Sequence, residues 1–277
     1  MASFLISTDD LAAQLDAPEL RIVDASWHLD GTDARAAFEQ ARIPGAVFFD
    51  LDAVSDHTTD LPHMLPDAAA FAEAVGALGI AVTDRIVVYD TQGLFSAARV
   101  WWTFRLMGAE DVRVLDGGLP KWRAESHPIA SGSVQAPAPT VFTGGPRRGA
   151  VADLPTVLAA LTGDAQIVDA RPASRFSGEA AEPRPGLRSG HMPGALNVPF
   201  RSVLDEAGRL LPAEALRQRF QQAGVTFDRP IITSCGSGVT AAVLTLALAE
   251  LGEDSALYDG AWAEWGSRSD TPIVTGP

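Results

Sequence analysis

The chain has 277 residues, room for one large domain or for two of roughly 140 residues each. Its composition, 47% hydrophobic and 20% charged, is that of a soluble globular protein and excludes a disordered, collagenous or disulfide-stapled chain. Acidic residues outnumber basic ones 35 to 21, for a net charge of -14, a field that disfavours nucleic acid and anionic membrane surfaces as partners.

The N-terminus carries no basic leader region and turns acidic at Asp9 and Asp10, and the longest apolar run, 241–249, falls well short of the ~18 residues of a membrane span. A cytoplasmic protein is the expectation. The first strand pattern is Ile22-Val-Asp-Ala-Ser, followed by Arg42-Ile-Pro-Gly-Ala-Val, a helical stretch over 66–78, a strand over 86–89, a helix over 97–107 and an Asp116-Gly117 turn. The series then recurs. Ile167-Val-Asp-Ala-Arg, His191-Met-Pro-Gly-Ala-Leu, a helix over 211–223, a strand over 230–234, a helix over 240–251 and an Asp259-Gly260 turn repeat it at an offset of roughly 145 residues.

Between the copies, residues 131–149 are rich in Pro, Gly and Ser without helical or strand period and read as a linker. The expected organisation is therefore a first domain over 1–130 and a second over 150–277. Short β-branched strands alternating with longer helices predict α/β domains, each with a mainly parallel sheet covered by helices on both faces. Trp101, Trp102, Trp262 and Trp265 are expected in domain cores or at the domain contact.

Cys235 is the single cysteine, so an intramolecular disulfide and a multi-thiolate metal site are excluded, in keeping with a reducing compartment. It follows the strand pattern Pro230-Ile-Ile-Thr-Ser and precedes Gly236-Ser-Gly-Val-Thr, which opens an apolar helix. The carboxyl end of a strand is where open α/β sheets bind ligands. A Gly-rich turn into a helix directs backbone N–H groups and the positive helix end at one point, a setting that favours thiolate over a merely buried structural cysteine.

Three chemistries use such a thiolate. A phosphatase loop needs an Arg six residues after the cysteine, and that position is Ala241. A Cys–His hydrolase needs a histidine base, and the five histidines lie too far off in sequence to decide. Sulfur transfer needs no base on the cysteine, because loop N–H donors hold the persulfide. In the first copy Asp90 takes the place of Cys235, so thiol chemistry is confined to the second.

With these motifs the chain resembles the two-domain rhodanese family, in its mercaptopyruvate-using branch. The resemblance runs from Ile22 to Trp265 and includes Gly45-Ala-Val-Phe-Phe-Asp-Leu-Asp, Pro62-His-Met-Leu-Pro, Glu182-Pro-Arg-Pro-Gly, Gly190-His-Met-Pro-Gly-Ala-Leu-Asn-Val-Pro and Leu257-Tyr-Asp-Gly-Ala-Trp-Ala-Glu-Trp. The loop Cys235-Gly-Ser-Gly-Val-Thr is the mercaptopyruvate form, whereas thiosulfate enzymes carry basic residues directly after the cysteine.

The resemblance implies sulfur transfer from 3-mercaptopyruvate through a persulfide on Cys235, with pyruvate released and a small thiol, thioredoxin or cyanide as acceptor. It implies no cofactor and no metal. Arg175 and Arg184 match the positions that hold the substrate carboxylate and carbonyl, and Gly236, Gly238, Val239 and Thr240 form the binding loop around the thiol. Ser237, His63 and Asp52 match a proposed proton relay drawn from both domains; a packed histidine and a turn aspartate are the plainer readings of the last two. A thiosulfate:cyanide sulfurtransferase and a noncatalytic persulfide relay are the alternatives.

Overall fold

The structure, a computed structural model, describes residues 3–135, 137–145 and 149–277. Residues 136 and 146–148, within the stretch expected to be a linker, lie outside the described residues. The chain divides into two compact units: Met1–Asp56 with Leu65–Arg147 and Glu206–Leu210, and His57–Met64 with Arg148–Asp205 and Leu211–Pro277.

The first unit runs β1 (Leu5–Ile6), α1 (Thr8–Ala12), β2 (Leu20–Asp24), α2 (Ala34–Gln40), β3 (Val47–Phe48), α3 (Ala68–Ala77), β4 (Arg85–Tyr89), α4 (Ala97–Leu106), β5 (Val112–Leu115) and α5 (Gly118–Ala124). Its strands form a sheet in the order β1-β5-β4-β2-β3, every pairing parallel. The central register places Ile22 opposite Val87 and Val23 opposite Val88, the continuous apolar runs that a sheet covered on both faces requires. Helix starts follow from local chemistry: Asp33 accepts from Ala36 N and Asp67 from Ala69 N and Ala70 N.

The second unit repeats this plan as β6 (Val151–Ala152), α6 (Leu154–Ala160), β7 (Gln166–Asp169), α7 (Ala173–Phe176), β8 (Leu196–Asn197), α8 (Ala213–Gln222), β9 (Ile231–Ser234), α9 (Ala241–Glu250), β10 (Ala256–Tyr258) and α10 (Ala261–Ser267), with a 3-10 turn at Phe200–Val203. Its sheet order, β6-β10-β9-β7-β8, is the first unit's order carried through the duplication. Both units thus have the expected α/β architecture.

Each unit has its own core. Leu11, Ile22, Phe38, Val87, Leu115 and Trp122 cluster in the first, and Ile167, Met192, Ile232, Trp262 and Trp265 in the second. The four tryptophans singled out in the sequence are all buried. Part of the presumed linker also packs: Thr140 N donates to Gly76 O at 2.9 Å, and the Phe142 ring meets the Phe71 ring edge-on at 5.4 Å. Burying such a ring contributes about 1.5–3 kcal/mol. A Cβ on Gly76 would stand 2.6 Å from Thr140 O, so this seat needs glycine.

The aspartates ending β2 and β7 fasten the following loops, in different ways. Asp169 accepts from Arg171 N at 2.9 Å and pairs with its guanidinium at 2.7 Å. Asp24 accepts from Ser26 N at 2.9 Å, while its Oδ2 is buried without a partner among the described residues. Burial pushes the Asp24 carboxyl up to about 6; the Ser26 hydrogen bonds oppose this and the charge of Asp90 adds to it.

Candidate active site

Cys235 directly follows β9 and is buried at 2% exposure. Its carbonyl accepts from Trp262 N and that of Gly236 from Ala263 N, each at 2.9 Å, so the first turn of α10 takes up both oxygens. The backbone N–H groups from Gly236 to Thr240 make no hydrogen bond among the described residues. Gly238 holds φ +78, a left-handed turn open to glycine, and Val239 and Thr240 lead into α9. The loop therefore presents unfilled donors beside a thiol, the arrangement that receives an anionic sulfur.

Ser237 is buried next to this thiol in sequence, and its Oγ lies 3.0 Å from His63 Nδ1. His63 is also buried, and it holds φ +59, a strained backbone for a non-glycine residue. Although residue 63 precedes the linker by a long stretch, His57–Met64 belongs to the second unit, so the Ser237–His63 pair forms within one compact body. Asp52 belongs to the first unit, where it sits exposed in a turn and accepts from Trp27 Nε1 at 3.0 Å.

Arg175 projects from α7, and its guanidinium is held by Glu182 through an ion pair and a second contact from Nε at 3.3 Å. Glu182 also accepts from Arg171 at 2.7 Å. Arg171 is buried, donates to Gly190 O at 2.9 Å, and lies 4.1 Å from the centroid of the Trp262 ring. A Cβ placed on Gly236 would stand 2.9 Å from an Arg175 terminal nitrogen, so that guanidinium lies against the cysteine loop. Arg184 is half-buried, two residues beyond Glu182 on the same loop.

The structure thus brings Cys235, Gly236, Ser237, His63 and Arg175 together in the second unit. Glu182 and Arg171 were not singled out in the sequence. The available signal was a Glu between two arginines in a Pro-rich segment, which reads equally well as a solvated loop. Among the described residues no group of three His, Cys, Asp or Glu side chains is placed to hold a metal ion, and no helix is long and apolar enough to cross a membrane.

A family profile described as "Rhodanese-like domain" matches residues 7–125 and 154–268. The chain is 46% identical to the 3-mercaptopyruvate sulfurtransferase of Escherichia coli (strain K12), covering 98% of each sequence. It is 44% identical to a mitochondrial thiosulfate/3-mercaptopyruvate sulfurtransferase of Arabidopsis thaliana, covering 97% of this chain and 77% of that one. A crystal structure of a 3-mercaptopyruvate sulfotransferase from Escherichia coli superposes with a TM-score of 0.87 at 44% identity, over 94% of this chain and 99% of the other.

Proposed function

Since the chain belongs to the rhodanese family and carries two rhodanese-like domains in tandem, we propose that it is a sulfurtransferase moving sulfur from 3-mercaptopyruvate to a thiol or cyanide acceptor. The observation that carries this reading is the buried Cys235 in a loop whose N–H donors are unfilled, beside the 3.0 Å Ser237–His63 contact.

In the first half-reaction the Cys235 thiolate attacks the donor sulfur, forming an S–S bond. The S–C3 bond breaks, its electron pair passes into the pyruvate enolate, and the donor's thiol proton ends on C3. This leaves pyruvate and an anionic persulfide on Cys235, so atoms and charge balance. The persulfide carries its charge on the outer sulfur, where the N–H groups of Gly236, Gly238, Val239 and Thr240 stabilise it. In the second half-reaction a small thiol, a thioredoxin thiolate or cyanide attacks that outer sulfur and frees the Cys235 thiolate.

Ser237 and His63 carry the proton from donor sulfur to carbon, with Asp52 the third member of the relay that the family resemblance implies. Arg175 and Arg184 bind the donor carboxylate and carbonyl through planar, charge-assisted hydrogen bonds. Use of thiosulfate is the second reading, favoured by the double name of the Arabidopsis thaliana relative. Against it as the main activity stands a loop without a cation at positions 236 and 237. A noncatalytic persulfide relay would not need a small carboxylate pocket. We place the protein in the cytoplasm, in keeping with a single cysteine and so no disulfide within the chain.

Intact-protein mass after exposure to 3-mercaptopyruvate without acceptor tests the proposal. One added sulfur atom on the wild type and none on Cys235→Ser is expected. An unchanged wild-type mass would overturn it.

A further inference from the structure

Arg175 is an unusual candidate for binding an anion, because it already has one. Its guanidinium shares Glu182 with Arg171, whose second carboxylate is Asp169, so two arginines and two carboxylates form a chain of alternating charge. The side chains of Arg171, Asp169 and Glu182 are each at most 2% exposed, whereas Arg175 at the outer end is 18% exposed. The chain is anchored in the core, where Arg171 lies against the Trp262 ring, and Trp262 in turn donates its backbone N–H to Cys235 O. Its outer end lies against Gly236, where a Cβ would meet Arg175 Nη2, the same nitrogen that pairs with Glu182, at 2.9 Å.

A guanidinium has five N–H donors in a fixed fork. With Nε and one N–H of Nη2 given to Glu182, the edge formed by Nη1 and the second N–H of Nη2 is the part left to meet a donor carboxylate. The carboxylate of Glu182 thus fixes which edge is presented and where, and the missing side chain at 236 leaves room for it beside the thiol. A flexible arginine would lose rotamer entropy each time substrate bound, a cost that preorganisation avoids.

We propose that Glu182 is a positioning residue that sets Arg175 over Gly236, and that this Glu182–Arg175–Gly236 arrangement selects a carboxylate-bearing sulfur donor over thiosulfate. The inference rests on the sulfurtransferase reading above. It adds that selectivity comes from the place of one cation, held by a buried carboxylate, as well as from the lack of a cationic side chain at positions 236 and 237.

Steady-state kinetics with 3-mercaptopyruvate and with thiosulfate on Glu182→Gln, Glu182→Asp, Gly236→Ala, Arg175→Ala and the Glu182→Gln/Arg175→Ala double variant test it. Glu182→Gln should raise KM for 3-mercaptopyruvate about tenfold with kcat changed much less, and leave thiosulfate KM within about twofold. Glu182→Asp should restore part of the loss. Gly236→Ala, whose Cβ would press on the Nη2 atom that pairs with Glu182, should reproduce the same donor-selective loss, and the double variant should cost no more than Arg175→Ala alone.

Equal losses for both donors, or a double variant in which the two losses add in full, would overturn the inference. If Glu182→Gln fails to fold, Gly236→Ala and Glu182→Asp decide by the same donor comparison, since neither removes the charge that Arg171 needs. A wild type that takes no sulfur from 3-mercaptopyruvate defeats the underlying reading. A wild type that does, with Gly236→Ala indifferent to donor, defeats this inference alone.

Discussion

Asp90 and Cys235 hold the same place in their units: the carbonyl oxygen of each accepts a 2.9 Å hydrogen bond from the second residue of the helix after next, Leu119 N of α5 for Asp90 and Trp262 N of α10 for Cys235. The residue before each donor is left-handed in both, Gly118 at φ 55 and Ala261 at φ 49. The loops then diverge. Asp90 turns its carboxylate onto its own loop, accepting from Gln92 N at 2.8 Å, Phe95 N at 2.7 Å and Ala97 N at 2.9 Å. The first unit carries its anion within its own sequence, whereas the second leaves the donors for a ligand.

Replacing Asp90 by Ala should therefore cost on the order of 3 kcal/mol or more, because three N–H groups lose a buried acceptor. Asp90→Asn should recover part of it. Formate or acetate should raise the melting temperature of Asp90→Gly far more than that of the wild type, by filling the vacated donors. A melting temperature of Asp90→Gly indifferent to these anions would show that the donors close on something else.

Asp24 gives a pH dependence of definite sign. Its carboxyl is raised from 3.8 to about 6 by burial, so well below pH 3.8 it is protonated in both folded and unfolded chains and has no effect. As pH rises toward 6 the unfolded chain ionises first, and the folded state loses up to about 3 kcal/mol, a penalty fully present above 6. Asp24→Asn, whose amide oxygen can still accept from Ser26, should flatten the fall in stability between pH 4 and 6 and melt higher than the wild type at pH 7. Urea melts of both proteins at pH 4, 5, 6 and 7 provide the check.

Cys235→Ser should abolish sulfur transfer with the melting temperature almost unchanged, because the hydroxyl fills the same buried space but forms no persulfide. Turnover above about one per cent of wild type would contradict a thiolate mechanism.

Removing the proton partner should separate the two donors. In His63→Ala, kcat with 3-mercaptopyruvate should fall by about 10²-fold or more, the usual contribution of a positioned acid or base. Thiosulfate turnover should fall far less, since sulfite leaves without needing a proton. His63→Gly, which relieves the left-handed backbone at φ 59, should melt higher than His63→Ala while sharing its kinetic loss. A common loss on both donors would assign His63 to shaping the loop.

The duplication made most of the fold legible. Ile22-Val-Asp and Ile167-Val-Asp close equivalent strands, and both sheets follow one strand order. Cys235 was equally legible, because strand end, glycine turn and helix start are local signals. Glu182 was not, since its role depends on Arg171 and Arg175 converging on one buried carboxylate, and neither period nor spacing records such convergence. The packing of Phe142 was hidden by its surroundings: one aromatic among Pro, Gly and Ser has no periodicity to betray it.

The membership of His57–Met64 in the second unit gives the sequence repeat and the spatial repeat different borders. A fragment starting at residue 149 would keep both arginines, the whole β6-β10-β9-β7-β8 sheet and the nucleophile, yet leave behind the imidazole that Ser237 meets. The ancestral halves have ceased to be interchangeable cassettes. A gene divided at the duplication point would yield a carboxyl-terminal piece able to display its thiol but short of one proton carrier, and co-expression of the two pieces would be the way to return it.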